Sequence, residues 1–281
     1  MSLLERPRTA GEERRAASRP RPDREKRKLP GWGQQLLFLL AVLLIWGGLR
    51  LLDVISAQAL PGPWAVAASF VEAVQTPAYW VAILETFRSA AIGLGIALLI
   101  GIPLGLIIGM YAVVEKSTRI VIEIGRSFPV VTILPVLLLI LGATLSMKAL
   151  VVFIACVFPI IIQAQYGAQS VSEAVNETVR SYRIPRLLRF AKVSLPAAMP
   201  SIMTGLRLAT TLAVLVAVGI EVLTPVPGIG HEIASSQIDA NASRAWVYIL
   251  TAATIGYCIN RLSIFAESKL LAWRPPSNLD E

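Results

Sequence analysis

The sequence is poor in histidine, cysteine and charge, and each shortage removes a class of function. Across 281 residues there is one histidine, there are two cysteines, and only 16% of side chains are charged. Cys156 and Cys258 both fall in apolar stretches with no thiol, histidine or carboxylate at metal-ligand spacing, so neither a disulfide framework nor a metal centre is expected. His231, the only histidine, lies in a stretch rich in glycine and proline and reads as a solvated loop residue. No Gly-x4-Gly-Lys-[Ser/Thr] phosphate loop occurs, so the chain cannot cradle ATP phosphates in that manner. No nucleophile-base arrangement or acid cluster suggests an enzyme within the membrane. Internal repeats with paired carboxylates or paired broken helices, which an ion-driven secondary transporter would carry, are also missing.

What is abundant is apolar sequence: 55% of residues are apolar and the mean hydropathy is +0.66. These values lie outside the range of a soluble domain. Spans need about 20 apolar residues each, and the candidates are Leu36–Ile55, Val81–Met110, Phe128–Ala143, Ala149–Tyr166, Pro200–Leu223 and Trp246–Phe265. The expected fold is all-α, a polytopic membrane bundle of about six transmembrane helices. The first span follows more than thirty residues and has no small-x-small cleavage site leading to a soluble domain, so it reads as a retained helix.

Charge supplies an orientation. The net charge of +8 would suit nucleic acid if it were spread over a surface, but ten of the 26 Lys and Arg lie within residues 1–30, alongside five acids. Lys and Arg are retained on the cytoplasmic side. Connections 111–127, with Lys116, Arg119 and Arg126, and 167–199, with Arg180, Arg183, Arg186, Arg189 and Lys192, are therefore expected inside, as are both chain ends. Connections 56–80, the one near Lys148, and 224–245 are nearly free of basic residues and are expected outside. Tyr79, Trp80, Trp246, Tyr248 and Trp273 sit at span ends as interfacial anchors.

The organisation follows: a basic tail at 1–30 that cannot bury a core, a first helix and external segment at 31–80, a core at 81–270, and a short tail at 271–281. The tail serves as a topology signal or binds lipid or a partner. After the turn at Leu60-Pro61-Gly62-Pro63, residues 64–74 place Trp64, Ala67, Ala68, Val71 and Val74 on one face of an interfacial helix. In the second span Gly101, Gly105 and Gly109 form a small-xxx-small stripe for close helix packing. Pro129 and Pro135 interrupt the third span, either lining a path or merely kinking a packed helix. Gln163, Gln165, Arg207, Glu221, Asn260 and Arg261 are polar groups in or near spans, where they face a path, snorkel, or bond between helices.

The connection 172–199 is too long for a minimal turn. Pro185 disfavours helix at Ile184, which predicts two short helices, 173–182 and 186–193, ending at Leu195-Pro196. Val175, Val179 and Tyr182 then form an apolar stripe fit for a partner's groove. Within this connection Glu177-Thr178-Val179, followed at an interval by Leu195-Pro196 and Ala197-Ala198-Met199-Pro200, resembles the EAA loop of type I binding-protein-dependent ABC importer permeases, closest to those for nitrate, sulfonate and taurine uptake. The likeness extends to Pro61-Gly62-Pro63, the glycine-rich second span, Arg126-Ser127-Phe128-Pro129 with Pro135, and Glu221 followed by Gly228-Ile229-Gly230. It implies that residues around Glu177, Thr178, Val179, Tyr182, Arg183, Pro185, Arg186, Leu195 and Pro196 dock in a cytoplasmic ATPase. It further implies a permease pair, identical or homologous, two ATPase subunits that bind ATP and Mg, an extracytoplasmic solute-binding protein, and residence in the inner membrane. Arg126, Pro129, Pro135, Arg207 and Glu221 would be path candidates. The family has glycine where this chain has Arg183, and Pro185 is the expected substitute for the bend, since glycine turns a chain through positive φ and proline through restricted φ. An ion-gradient-driven secondary transporter and a non-transporting membrane scaffold are the remaining alternatives.

Overall fold

The computed structural model describes residues 31–273 and falls into two units, the first ending at Leu49 and the second beginning at Arg50. The basic tail 1–30 and residues 274–281 lie outside the described residues. The first unit contains most of α1 (Gly31–Leu51), an apolar helix of spanning length.

The second unit is helical throughout: α2 (Pro63–Val74), α3 (Pro77–Met110), α4 (Ala112–Ser127), a 3-10 turn (Val130–Ile133), α5 (Leu134–Leu141), α6 (Leu145–Gln169), α7 (Glu173–Ser181), α8 (Arg186–Arg189), a π-helical turn (Phe190–Ser194), α9 (Leu195–Leu223), α10 (Ile229–Ile238) and α11 (Ala242–Leu270). Among the described residues five helices are long and apolar enough to cross a membrane, and the broken pair α4 and α5 makes a sixth if counted as one span. The all-α polytopic reading therefore stands.

Small side chains set the packing. Gly93, Ala97, Gly101, Gly105 and Gly109 recur every four residues on α3, one above another, and lie against α6. A Cβ at Gly93 would lie 2.6 Å from the Ala149 carbonyl oxygen, and one at Gly109 2.6 Å from that of Gln165. Gly205, Ala209, Ala213 and Ala217 repeat the device on α9: Gly205 meets Gln163, Ala209, Ala213 and Ala217 are buried, and the Ala209 carbonyl accepts from Cys156 Sγ at 3.4 Å. The central helix α6 is thus flanked by two flattened helix faces, and Met147, Val151, Val152 and Cys156 fill the core around it.

The third span differs from expectation. Residues 111–127 are not a loop but hold α4, and the expected span Phe128–Ala143 is a 3-10 turn followed by an eight-residue helix. An 81° bend separates α4 from this pair. Proline explains it: Pro129 has no N–H and forces Phe128 into extended backbone at φ −71°, ψ 123°. Pro135 does not interrupt anything; it occupies the first turn of α5, where its missing donor costs nothing. Residues 130–141 reach only about 20 Å, short of the ~30 Å hydrocarbon layer.

Helix α2 packs on α11 and buries Val66, while Trp64, Ala67, Ala68 and Val71 of the expected apolar face are exposed. That orientation leaves a face for the bilayer interface.

Candidate functional site

Two groups of residues stand at opposite ends of α9. At the end where α6 runs into α9, residues 172–194 form the candidate coupling element. Helix α7 ends in a Schellman motif: Ile184 N–H donates to the Val179 carbonyl at 3.1 Å and Arg183 N–H to that of Arg180 at 3.0 Å. Such a motif needs a left-handed residue, and Arg183 supplies it with φ +51°. The bend is therefore made at the glycine position by arginine itself, not by Pro185 as expected. Pro185 follows the turn and leads into α8.

The short second helix was expected to stop at Leu195-Pro196. Instead α8 passes through the π turn into α9 without a break, and Pro196 lies in the first turn of α9. The wider π turn precedes it, with Leu195 N–H donating to the Phe190 carbonyl, so the helix runs on past a residue that has no N–H to give. The apolar stripe is also divided. Val179 is 5% exposed and turns inward, whereas Tyr182 is 78% exposed. Val175, Glu177, Thr178, Arg183 and Pro185 are exposed as well. Val179 thus anchors the element, leaving Tyr182, Val175 and Glu177 on the accessible face. Arg189 Nη2 donates to Asn176 Oδ1 at 2.9 Å, joining α8 to α7. The side chain of Arg186 lies outside the described residues, and Leu195 and Pro196 are half-buried at the root of α9.

At the α10 end, Glu221 of α9 and Lys148 of α6 form an ion pair at 2.6 Å, and both side chains are fully buried. Lys148 was expected in an exposed connection; it belongs to the first turn of α6. Its ammonium also donates to the Pro227 carbonyl at 2.8 Å. Glu221 Oε2 accepts from Thr86 Oγ1 of α3 at 2.7 Å and from Gly230 N–H at 3.1 Å. Thr86 Oγ1 in turn accepts from Ile229 N–H at 2.9 Å. This arrangement meets the condition under which a buried pair is tolerated, with remaining protons and lone pairs bonded. Lys148 and Thr86 were missed because they are 73 and 135 residues from Glu221. The available signal was one lysine opening an apolar run and one glutamate closing another at the same bundle end.

The other path candidates are dispersed. Arg207 Nη1 lies 3.4 Å from Glu267 Oε2, joining α9 to α11. Arg126 is exposed at the end of α4, 3.7 Å from Glu123, immediately before the Pro129 bend. Gln165 Nε2 donates to Glu115 Oε1 at 3.3 Å. His231 is half-buried on α10, which occupies part of what was read as a loop. Among the described residues no group of three or more His, Cys, Asp or Glu side chains is arranged to hold a metal ion.

Comparison with known families decides the identity of this architecture. Residues 101–270 match the model of the binding-protein-dependent transport system inner membrane component. The chain belongs to this family of ABC importer permeases. The permease is 28% identical over 252 residues to SsuC of Bacillus subtilis (strain 168), assigned to aliphatic sulfonates transport, covering 88% of this chain and 90% of that protein. It is 30% identical to the nitrate import permease NrtB of Leptolyngbya laminosa over 67% of this chain and 68% of that one. It is 26% identical to the bicarbonate transport permease CmpB of Synechococcus elongatus over 94% and 98% respectively. The fold matches that of the MetNI methionine ABC transporter in an inward-facing form, with a TM-score of 0.61 and 16% identity over 69% of the permease and 98% of that chain.

Proposed function

We propose that the permease imports a small anion into the cytoplasm by alternating access, driven by ATPase subunits that dock on residues 172–189. The carrying observation is the continuity of α8, the π turn and α9: a push on the exposed element is delivered directly to a helix that crosses the whole bundle. Tyr182 and Val175 supply apolar contact and Glu177 a charge, in the manner of a helix seated in a groove. Two ATPases bind ATP and Mg beneath a pair of permeases, identical or homologous, and a solute-binding protein delivers substrate from the opposite face. In this orientation both chain ends and α7 are cytoplasmic, in keeping with the basic connections. ATP-driven closure changes the side on which the central path opens, a shift between two populated states. The path candidates are Arg126, Pro129, Pro135 and Arg207; Glu221, fully buried in its pair with Lys148, is set apart from them.

The substrate class comes from the relatives, whose names specify sulfonate, nitrate and bicarbonate. Taurine and aromatic carboxylates fall within the same chemistry. The test replaces Glu177 by Arg and Tyr182 by Ala in the assembled complex. Loss of ATPase co-purification and of anion-stimulated ATP hydrolysis is expected, while the permease itself remains folded in the membrane. Normal coupling in that variant would refute the assignment.

A further inference from the structure

The Lys148–Glu221 cluster does something the helix packing does not require. Helices α3, α6 and α9 are already held together by the glycine and alanine stripes along their shared faces. What the cluster adds is attachment of the segment that follows α9. Helix α10 has no side-chain cap of its own, because Gly228 occupies its N-cap position. Its first N–H groups would be orphaned, yet Ile229 N–H finds Thr86 and Gly230 N–H finds Glu221. The carboxylate also complements the positive end of α10. Lys148 holds the preceding Pro227 carbonyl. Gly228, at φ +157°, passes so close that a Cβ there would overlap the Glu221 carboxylate. The cap of α10 is thus built by three other helices.

We infer that Lys148, Glu221 and Thr86 are positioning residues, forming a joint that makes residues 224–238 move as one body with α9. The same α9 is continuous, at its other end, with the coupling element. A protein seated on α10 would therefore act on the helix that reaches the ATPase, and loss of the joint would loosen that connection without separating the bundle. The signalling half of this inference rests on the proposed function; the joint itself does not.

The test uses the permease–ATPase complex in lipid nanodiscs, with Lys148→Met/Glu221→Met, which removes both charges and keeps side-chain volume, and with the milder Thr86→Val. Amide hydrogen exchange and ATP hydrolysis titrated with the solute-binding protein are measured. The double variant should exchange at Gly230 at least tenfold faster, with α3 and α6 unchanged, and Thr86→Val should show the effect at Ile229 instead. The binding-protein concentration for half-maximal stimulation should rise about tenfold, far more than the saturated rate falls. Unchanged exchange at 229–230, or equal acceleration throughout α3 and α6 in both variants, would overturn the joint. An unmoved half-maximal concentration despite faster exchange would overturn the signalling role. A wild-type complex that no binding protein stimulates would refute the proposed function alone, since exchange still decides the joint.

Discussion

Arg183 carries the clearest residue-level strain in the candidate coupling element. An L-residue in left-handed backbone costs about 1–2 kcal/mol, and at φ +51° arginine bears that cost where glycine would not. Arg183→Gly should stabilise the purified permease by about 1 kcal/mol, whereas β-branched Arg183→Val should destabilise it, each measured by thermal unfolding in detergent. The Lys148–Glu221 pair has the opposite character: strain is absent, but each charge depends on the other. Removing one partner alone, as in Lys148→Met, should cost about 3–5 kcal/mol, and the double neutral variant should recover much of it. A thermodynamic cycle over the two single variants and the double variant checks this. The glycine position of the coupling loop was visible in the sequence as a departure from the family pattern. Which residue would adopt positive φ was not, because Pro185 offered an equally valid local solution and only the Schellman hydrogen bonds decide between them. The ion pair was half visible, with Glu221 singled out and Lys148 passed over, since hydropathy marks a charge at a span end as connection and says nothing of what lies beside it in space.

At the level of elements, period-four glycine governs how closely α3 approaches α6. Gly105 is the tightest of these positions, since a Cβ there would overlap the Ile161 carbonyl oxygen and sit 2.7 Å from Ala164 Cβ. Gly105→Val should cost about 1–3 kcal/mol through overpacking, and Gly95→Ala, whose Cβ would meet nothing within 4 Å, should cost nothing. Thermal unfolding of the two variants side by side separates close packing from general intolerance of change. The stripe at Gly101, Gly105 and Gly109 was legible because a four-residue repeat maps directly onto one helix face. Helix α4 was not, for a physical reason: with Glu115, Lys116, Arg119, Glu123 and Arg126 among its 16 residues, it lacks the continuous apolar run by which a membrane helix announces itself. Its inward face uses Val114, Thr118, Ile122 and Gly125, a pattern that emerges only once α6 is present to receive it.

In the second unit one long helix, α9, carries a different attachment at each end. The exposed element 173–189 lies at one end and the capped helix α10 at the other, so the two should face opposite sides of the membrane. Single cysteines introduced at Ser172 and at His231 should accordingly react with an impermeant thiol reagent from opposite faces of sealed vesicles. Family membership and the all-α polytopic class were both within reach of the sequence, since each depends on local composition and spacing. The unbroken passage from α8 into α9 was not, because Leu195-Pro196 reads locally as a helix stop. That passage required the π turn to carry Pro196 without a break.

The central claim is that energy enters through the face bearing Tyr182, and photo-crosslinking from that position in native membranes tests it most directly. With a benzoylphenylalanine at 182, illumination is predicted to trap the ATPase subunit as the dominant product. A permease whose position 182 crosslinks to no ATPase, or is labelled from the extracytoplasmic face, would contradict the account.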